Sequence, residues 1–279
     1  PMITSCSPGW VKFCEYYYPD MINHLSTCKS PQQMAGAVIK TYYAEKAGID
    51  PAKIVCVSVM PCTAKKAEAA RDEMCASGYR DVDVVITTRE LGRMIREAGI
   101  DFANLPEENY DSPLGAGTGA AVIFGTTGGV MEAALRTVAD VVLGEEIADV
   151  EYNDVRGMEQ TREAVIKVGE AEVKIAVVHT LASAKKMLDR IKEGTADYHF
   201  IEVMACPGGC IGGGGQPVPV NAEIRQKRRE ALFECDRANE LRKSHVNPEI
   251  KVLYDTWLGK PLGEKAHSLL HTHYSEQKR

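Results

Sequence analysis

The sequence has no apolar run that approaches the roughly 18 residues of a membrane-spanning helix. One of its longer stretches, Val138–Leu143, is already broken by Asp140. It has no excess of positive charge either. The formal net charge is −6, and a nucleic-acid surface normally needs a basic patch. A disulfide framework is also a poor fit. The nine cysteines are odd in number, and 279 residues that are 44% hydrophobic can bury a full core without covalent staples. Reduced thiols, some of them metal ligands, fit better and imply a reducing compartment, the cytoplasm. The chain opens at Pro1 with neither a start methionine nor a signal-peptide pattern, so it is expected to be part of something longer.

What is present alternates between strand and helix patterns, the signature of an α/β fold. The opening PMITSCSPGW reads as a strand entering a loop. Ser30-Pro31 starts a helix that runs to about Gly48, with Ser as N-cap and Pro in the first turn. Strands are expected at Lys53–Met60, Val82–Thr88, Val173–Thr180 and Tyr198–Met204, and helices at Arg89–Ala98, Gly128–Leu143, Ala182–Gly194 and Asn221–Ser244. Residues 101–120 read as a loop, and the stretch between Leu143 and Val173 as irregular. The tail, Lys251–Tyr274, reads as helical with a break at Gly259–Pro261.

SVMPC (58–62) and EVMAC (202–206) each place a cysteine directly after a strand. The carboxyl ends of parallel strands are where open α/β sheets build their ligand crevices. The simplest geometry has two sheets, each offering a cysteine to one shared cleft. Cys206 and Cys210 then sit in MACPGGCIGGGGQP, a run too glycine-rich for a helix or strand. Such a loop lets backbone N–H groups approach sulfur, as iron–sulfur clusters require. Cys62 is a natural third ligand, and Cys6 in TSCSPGW a fourth or a neighbour. Tetrahedral zinc is the competing reading, although it has no need of so close a backbone approach. Cys14, Cys28, Cys56, Cys75 and Cys235 lie within elements and read as packing residues. Lys65 follows Cys62 by three positions, as either a solvated side chain or a cation for an anionic ligand. Met60 and Met204 read as core, or as thioethers lining a dry cavity. FGTTGG (124–129) lacks the Lys-Ser/Thr of a P-loop and better suits an anionic cofactor at a helix N-terminus.

Together, TSCSPGW (4–10), MPCTAKKAE (60–68) and EVMACPGGCIGGGGQP (202–217) resemble, in order and separation, the three signature loops of [FeFe]-hydrogenase large subunits. STCKSPQQM (26–34), FGTTGGVMEAALR (124–136) and GKPLGEKAHSLLHTHY (259–274) are similar to that family too. The resemblance implies two lobes of mainly parallel sheet flanked by helices, with the active-site cleft between them. Residues 1–279 would form one catalytic domain, truncated on its N-terminal side and without the upstream ferredoxin-like domains. The implied cofactor is the H-cluster, a [4Fe–4S] cubane joined through one cysteine to a diiron unit bearing CO, cyanide and a dithiolate bridge. Cys62, Cys206 and Cys210 would ligate the cubane, with Cys210 bridging. Lys65 would hydrogen-bond a cyanide. Met60, Pro61, Met204, Gln32, Phe124 and Gly125 would wall the diiron pocket. Cys6 would carry protons, with Ser26 next outward. The family commonly has a second cysteine where this chain has Ser7, so either Ser7 ligates through oxygen, Cys6 is recruited, or the site is altered. The implied reaction is the reversible reduction of protons to H2. Electron partners would be iron–sulfur domains or subunits, ferredoxin- or NAD(P)-linked. The alternatives are a related iron–sulfur scaffold or assembly protein, and an H2 sensor.

Overall fold

The computed structural model describes residues 1–148 and 150–278. Its strands are β1 (Met2–Ile3), β2 (Val57–Met60), β3 (Val84–Thr87), β4 (Thr161–Val168), β5 (Ala171–His179) and β6 (Phe200–Met204). The helices in chain order are α1 (Pro8–Tyr17), α2 (Pro31–Val38), α3 (Ala44–Ala47), α4 (Ala64–Ala69), α5 (Thr88–Glu97), α6 (Gly119–Ile123), α7 (Gly129–Leu143), α8 (Leu181–Lys192), α9 (Ala222–Ala238), α10 (Pro248–Leu253) and α11 (Glu264–Leu270).

The strands form two sheets, as expected. The larger has the order β1-β6-β5-β4, and the smaller pairs β2 with β3. All pairings are parallel except β4 with β5. β5 is buried on both faces, which explains its nearly unbroken apolar run, IAVV. Ala176 and Val178 join Ile201 and Val203 of β6 against Trp10, Val11 and Cys14 of α1 and Leu188 of α8. Ile175 and Val177 face Met131 and Leu135 of α7 on the other side. The small sheet leaves Val57, Val59 and Val84 exposed on one face, where parallel sheets are ordinarily covered on both.

Four expectations needed correction. The opening segment is a strand entering a loop at residues 4–7, as expected, but SPGW then turns into α1. Pro8 occupies the first helical turn, and the Trp10 indole N–H donates to the Thr4 carbonyl at 3.0 Å, folding α1 back over β1. The stretch read as irregular contains β4, an antiparallel edge strand. Its sequence, TREAVIKV, alternates because only one face is buried, and Gly169 supplies the hairpin turn at φ +60°. The loop at 101–120 already contains the start of α6, whose N-cap Thr118 side chain accepts from the Ala121 N–H. The helix expected to reach Ser244 ends at Ala238, where Asn239 turns the chain by accepting from the Leu241 N–H.

The helix expected over Ser30–Gly48 is continuous, running from α2 through a π turn at Ile39–Tyr43 into α3. It closes on Gly48 at φ +64°. Of the cysteines read as packing, Cys14 is core. Cys56 is partly buried against the small sheet's core, and Cys28, Cys75 and Cys235 are exposed.

Candidate functional site

Three chain segments meet beyond the carboxyl ends of β2 and β6. β2 runs out at Met60 into Pro61-Cys62, and β6 runs out at Met204 into the glycine loop. The turn before α7 completes the junction. The contacts are backbone to backbone: Gly215 N–H donates to the Pro61 carbonyl at 3.0 Å, Ile211 N–H to the Gly125 carbonyl at 2.9 Å, and Thr127 N–H to the Gly208 carbonyl at 2.9 Å. This contact explains the glycine run. A Cβ on Gly213 would lie 2.0 Å from the Pro61 oxygen. One on Gly209, which also holds φ +88°, would lie 2.8 Å from the Thr127 nitrogen. Side chains would hold the segments apart.

Around this junction the thiols feel one another. Burial pushes Cys210 up to about 11, with Cys62 and Cys206 adding to the shift and Lys65 opposing it. Burial, then Cys62, also raises Cys206. Burial drives Cys6 up to about 12 against the pull of Lys65, with Cys210, Glu202 and Glu68 adding. All four thiols keep partial surface, as groups facing a cavity do. Among the described residues no three His, Cys, Asp or Glu side chains are grouped closely enough to hold a single metal ion. In its chemistry the donor set fits a multi-iron cluster. It has thiols from two sheets, a loop that admits backbone N–H groups, and a fully buried Thr126 hydroxyl with no partner beside the junction.

Lys65 is buried. Its ammonium donates to the Glu68 carboxylate at 2.9 Å and to the Cys6 carbonyl at 3.0 Å. Glu68 also accepts from Ser30 at 2.7 Å and from Gln32 at 3.2 Å. Gln32 is held in turn by Ser58 and reaches the Lys65 carbonyl. Sequence reasoning missed Glu68, although its spacing three residues after Lys65 on α4 was a signal for it. Ser7 accepts from the Ala205 N–H at 3.2 Å, next to Cys206. Pro61 and Gly125 lie in the junction itself.

The remaining predicted residues are placed less directly. Met204 is buried on the face of β6 that carries Glu202, whereas Met60 is half-buried against the core of the small sheet. Phe124 is half-buried at the start of the turn before α7. Ser26 follows the bridge between Leu25 and Ile3, and its hydroxyl accepts from the Cys28 N–H at 3.2 Å. No hydrogen bond links Ser26 to Cys6 among the described residues. A residue that the sequence did not single out, Glu202, is fully buried beneath the junction.

Comparison with known proteins gives a consistent result. Residues 1–214 match the family described as iron only hydrogenase large subunit, C-terminal domain, and residues 222–277 match iron hydrogenase small subunit. The chain is 55% identical over 280 residues to the NADP-reducing hydrogenase subunit HndD of Solidesulfovibrio fructosivorans, which covers 100% of this chain and 48% of that one. It is 45% identical over 282 residues to iron hydrogenase 1 of Clostridium pasteurianum, covering 99% of this chain and 49% of that one. The chain thus spans about half the length of these curated relatives. An apo [FeFe]-hydrogenase variant from Chlamydomonas reinhardtii superposes with a TM-score of 0.85 at 45% identity, covering 99% of this chain and 76% of that one.

Proposed function

Because the chain belongs to the iron-only hydrogenase large-subunit family, we propose that it is the cluster-bearing part of an [FeFe]-hydrogenase, interconverting protons and electrons with H2. The observation that carries this reading is the meeting of Cys62, Cys206 and Cys210 with Cys6 and Lys65 at one junction. Residues 1–279 act as one catalytic unit. Cys62, Cys206 and Cys210 would hold the cubane, and Cys210 would also serve the diiron unit. Ser7 is the favoured fourth donor, because its oxygen sits at the Ala205 N–H, one residue from Cys206. That leaves the Cys6 thiol free.

When bound, the cluster supplies the redox chemistry. The chain supplies everything around it. Burial keeps the Cys6 thiol protonated, so its sulfur can hold a proton and pass it on. Ser26 is the next station outward. Lys65 presents a desolvated cation for an anionic cyanide, oriented by Glu68 and the Cys6 carbonyl. Gln32, Met60, Pro61, Met204, Phe124 and Gly125 wall the cavity and exclude water.

Electrons come from iron–sulfur centres in other domains or subunits. A relative named as a subunit of an NADP-reducing hydrogenase supports an NAD(P)-linked complex. A cytoplasmic setting is supported by nine cysteines that are all free thiols. No helix among the described residues is long and apolar enough to cross a membrane.

The test is anaerobic iron–sulfur reconstitution and maturation, followed by an iron count, infrared spectra and an H2 assay on one sample. Bands from iron-bound CO and cyanide together with turnover are expected. A sample that binds no cubane overturns the reading. A cubane without those bands leaves the scaffold, and bands without turnover leave the sensor.

A further inference from the structure

Glu202 stands on β6, a strand with a neighbour on each side, and its side chain is wholly buried. A charged group in such a place needs full compensation. The compensation comes from the start of α7. One carboxylate oxygen accepts from the Gly128 N–H at 2.6 Å, and the other from the Met131 N–H at 2.8 Å. Both oxygens act as acceptors, which is the bonding pattern of the ionised form. Gly128, at φ +89°, is the N-cap of a 15-residue helix and has no side chain of its own to cap it. Glu202 therefore does from a distant strand what an N-cap residue does locally.

The place of this lock matters. The amides it holds end the turn whose Gly125 and Thr127 bond the 208–211 loop. Glu202 itself lies four residues before Cys206. One carboxylate thus ties the strand carrying one cysteine to the turn that props the loop carrying the next. Burial pushes the Glu202 carboxyl up, and the Gly128 and Met131 amides and the Arg162 guanidinium pull it back toward the charged form.

We propose that Glu202 is a positioning residue for the cluster site, a buried anionic clamp that fixes the turn before α7 to the Cys206 strand and adds a fixed negative charge behind the cluster. The cluster half of this proposal rests on the hydrogenase reading; the clamp half does not.

Glu202→Gln keeps the size of the side chain but sets an amide N–H2 against a backbone N–H. In the apo protein, hydrogen exchange at Gly128–Met131 should speed up by about tenfold or more. In the reconstituted protein, the midpoint potential of the cubane, read by redox titration with electron paramagnetic resonance, should move positive because a negative charge is gone. Glu202→Asp keeps the charge one methylene short. It should loosen the same amides while leaving the potential near wild type, a split that a merely structural role would not produce. If Glu202→Gln proves too unstable to isolate, the Asp variant carries the test alone. Wild-type exchange at those amides in either variant overturns the clamp, and an unchanged potential in Glu202→Gln overturns the charge role. If the wild-type protein binds no cubane, the hydrogenase reading falls, and the exchange measurement still judges the clamp.

Discussion

The glycine loop makes a demand that a single methyl group can test. In Gly213→Ala the new Cβ would stand 2.0 Å from the Pro61 oxygen and 3.0 Å from the Cys210 oxygen. Both obstacles are backbone, so no side chain can swing away, and the 60–62 and 206–215 segments must separate by about 1 Å to reach van der Waals contact. Overpacking of this kind costs about 1–3 kcal/mol, which for a chain of this size lowers Tm by roughly 2–8 °C. The neighbouring position is the control. A Cβ on Gly214 meets nothing nearer than the Thr63 hydroxyl at 3.5 Å, so Gly214→Ala should be neutral, or stabilising by about 0.5 kcal/mol through the unfolded chain. Calorimetry on the apo proteins reads both effects, and an iron count after reconstitution reads the consequence for the site. The separation also shifts Cys210 relative to Cys62, so Gly213→Ala should bind markedly less iron than Gly214→Ala. Equal Tm and equal iron content in the two variants would refute the claim that close loop contact builds the site.

Cys6→Ala should abolish most H2 turnover while leaving the cubane signal in place; loss of that signal would make Cys6 a ligand instead of a proton carrier. Arg136 is fully buried and grips Asp236 through two nitrogens at 2.7 and 2.8 Å and Glu132 at 2.7 Å. Arg136→Met should therefore destabilise the protein by about 3–5 kcal/mol in urea unfolding, because two buried carboxylates lose a partner; a loss below about 1 kcal/mol would show that Arg156 and Arg242 suffice. Burial pushes the Asp140 carboxyl up, but hydrogen bonds from Lys243, the Ile147 N–H and His245 outweigh it and hold the group below its usual 3.8. A carboxylate depressed in the folded state adds stability that is fully present above its unfolded value and lost as pH falls through the folded one. Tm should therefore hold above about pH 5 and drop below about pH 4, with a shallower drop in Asp140→Asn; identical acid slopes would remove Asp140 from the account.

Much of this was open to reading along the chain. The two strand-end cysteines, the CxxxC spacing and the glycine run declare themselves locally, because a loop that must touch another backbone has to shed its side chains. The helix at Ser30 follows from Pro31 in its first turn, although the Ser30 hydroxyl donates to Glu68 instead of capping it, and the buried run of β5 follows from burial on both faces. What escaped was set by partners far away in sequence. β4 shows strand alternation only on its covered face, so its charged residues masked it until β5 was found beside it. α1 needed Trp10 to reach Thr4. Met60 reads as core or as cavity wall, and only the tertiary structure shows it half-buried against Val82 and Val85.

The residues of this chain determined by themselves which chemistry was available: soft thiolates, a lysine close behind one of them, and a loop bare enough to approach them. Tertiary structure alone decided which groups share a space. Cys62 and Cys206 are 144 positions apart, and Glu202 reaches Gly128 across 74. No local propensity encodes such a meeting. It follows from backbone contact between distant segments: the 206–215 loop bonds Pro61 after β2 and Gly125 and Thr127 before α7, which holds the ends of β2 and β6 together.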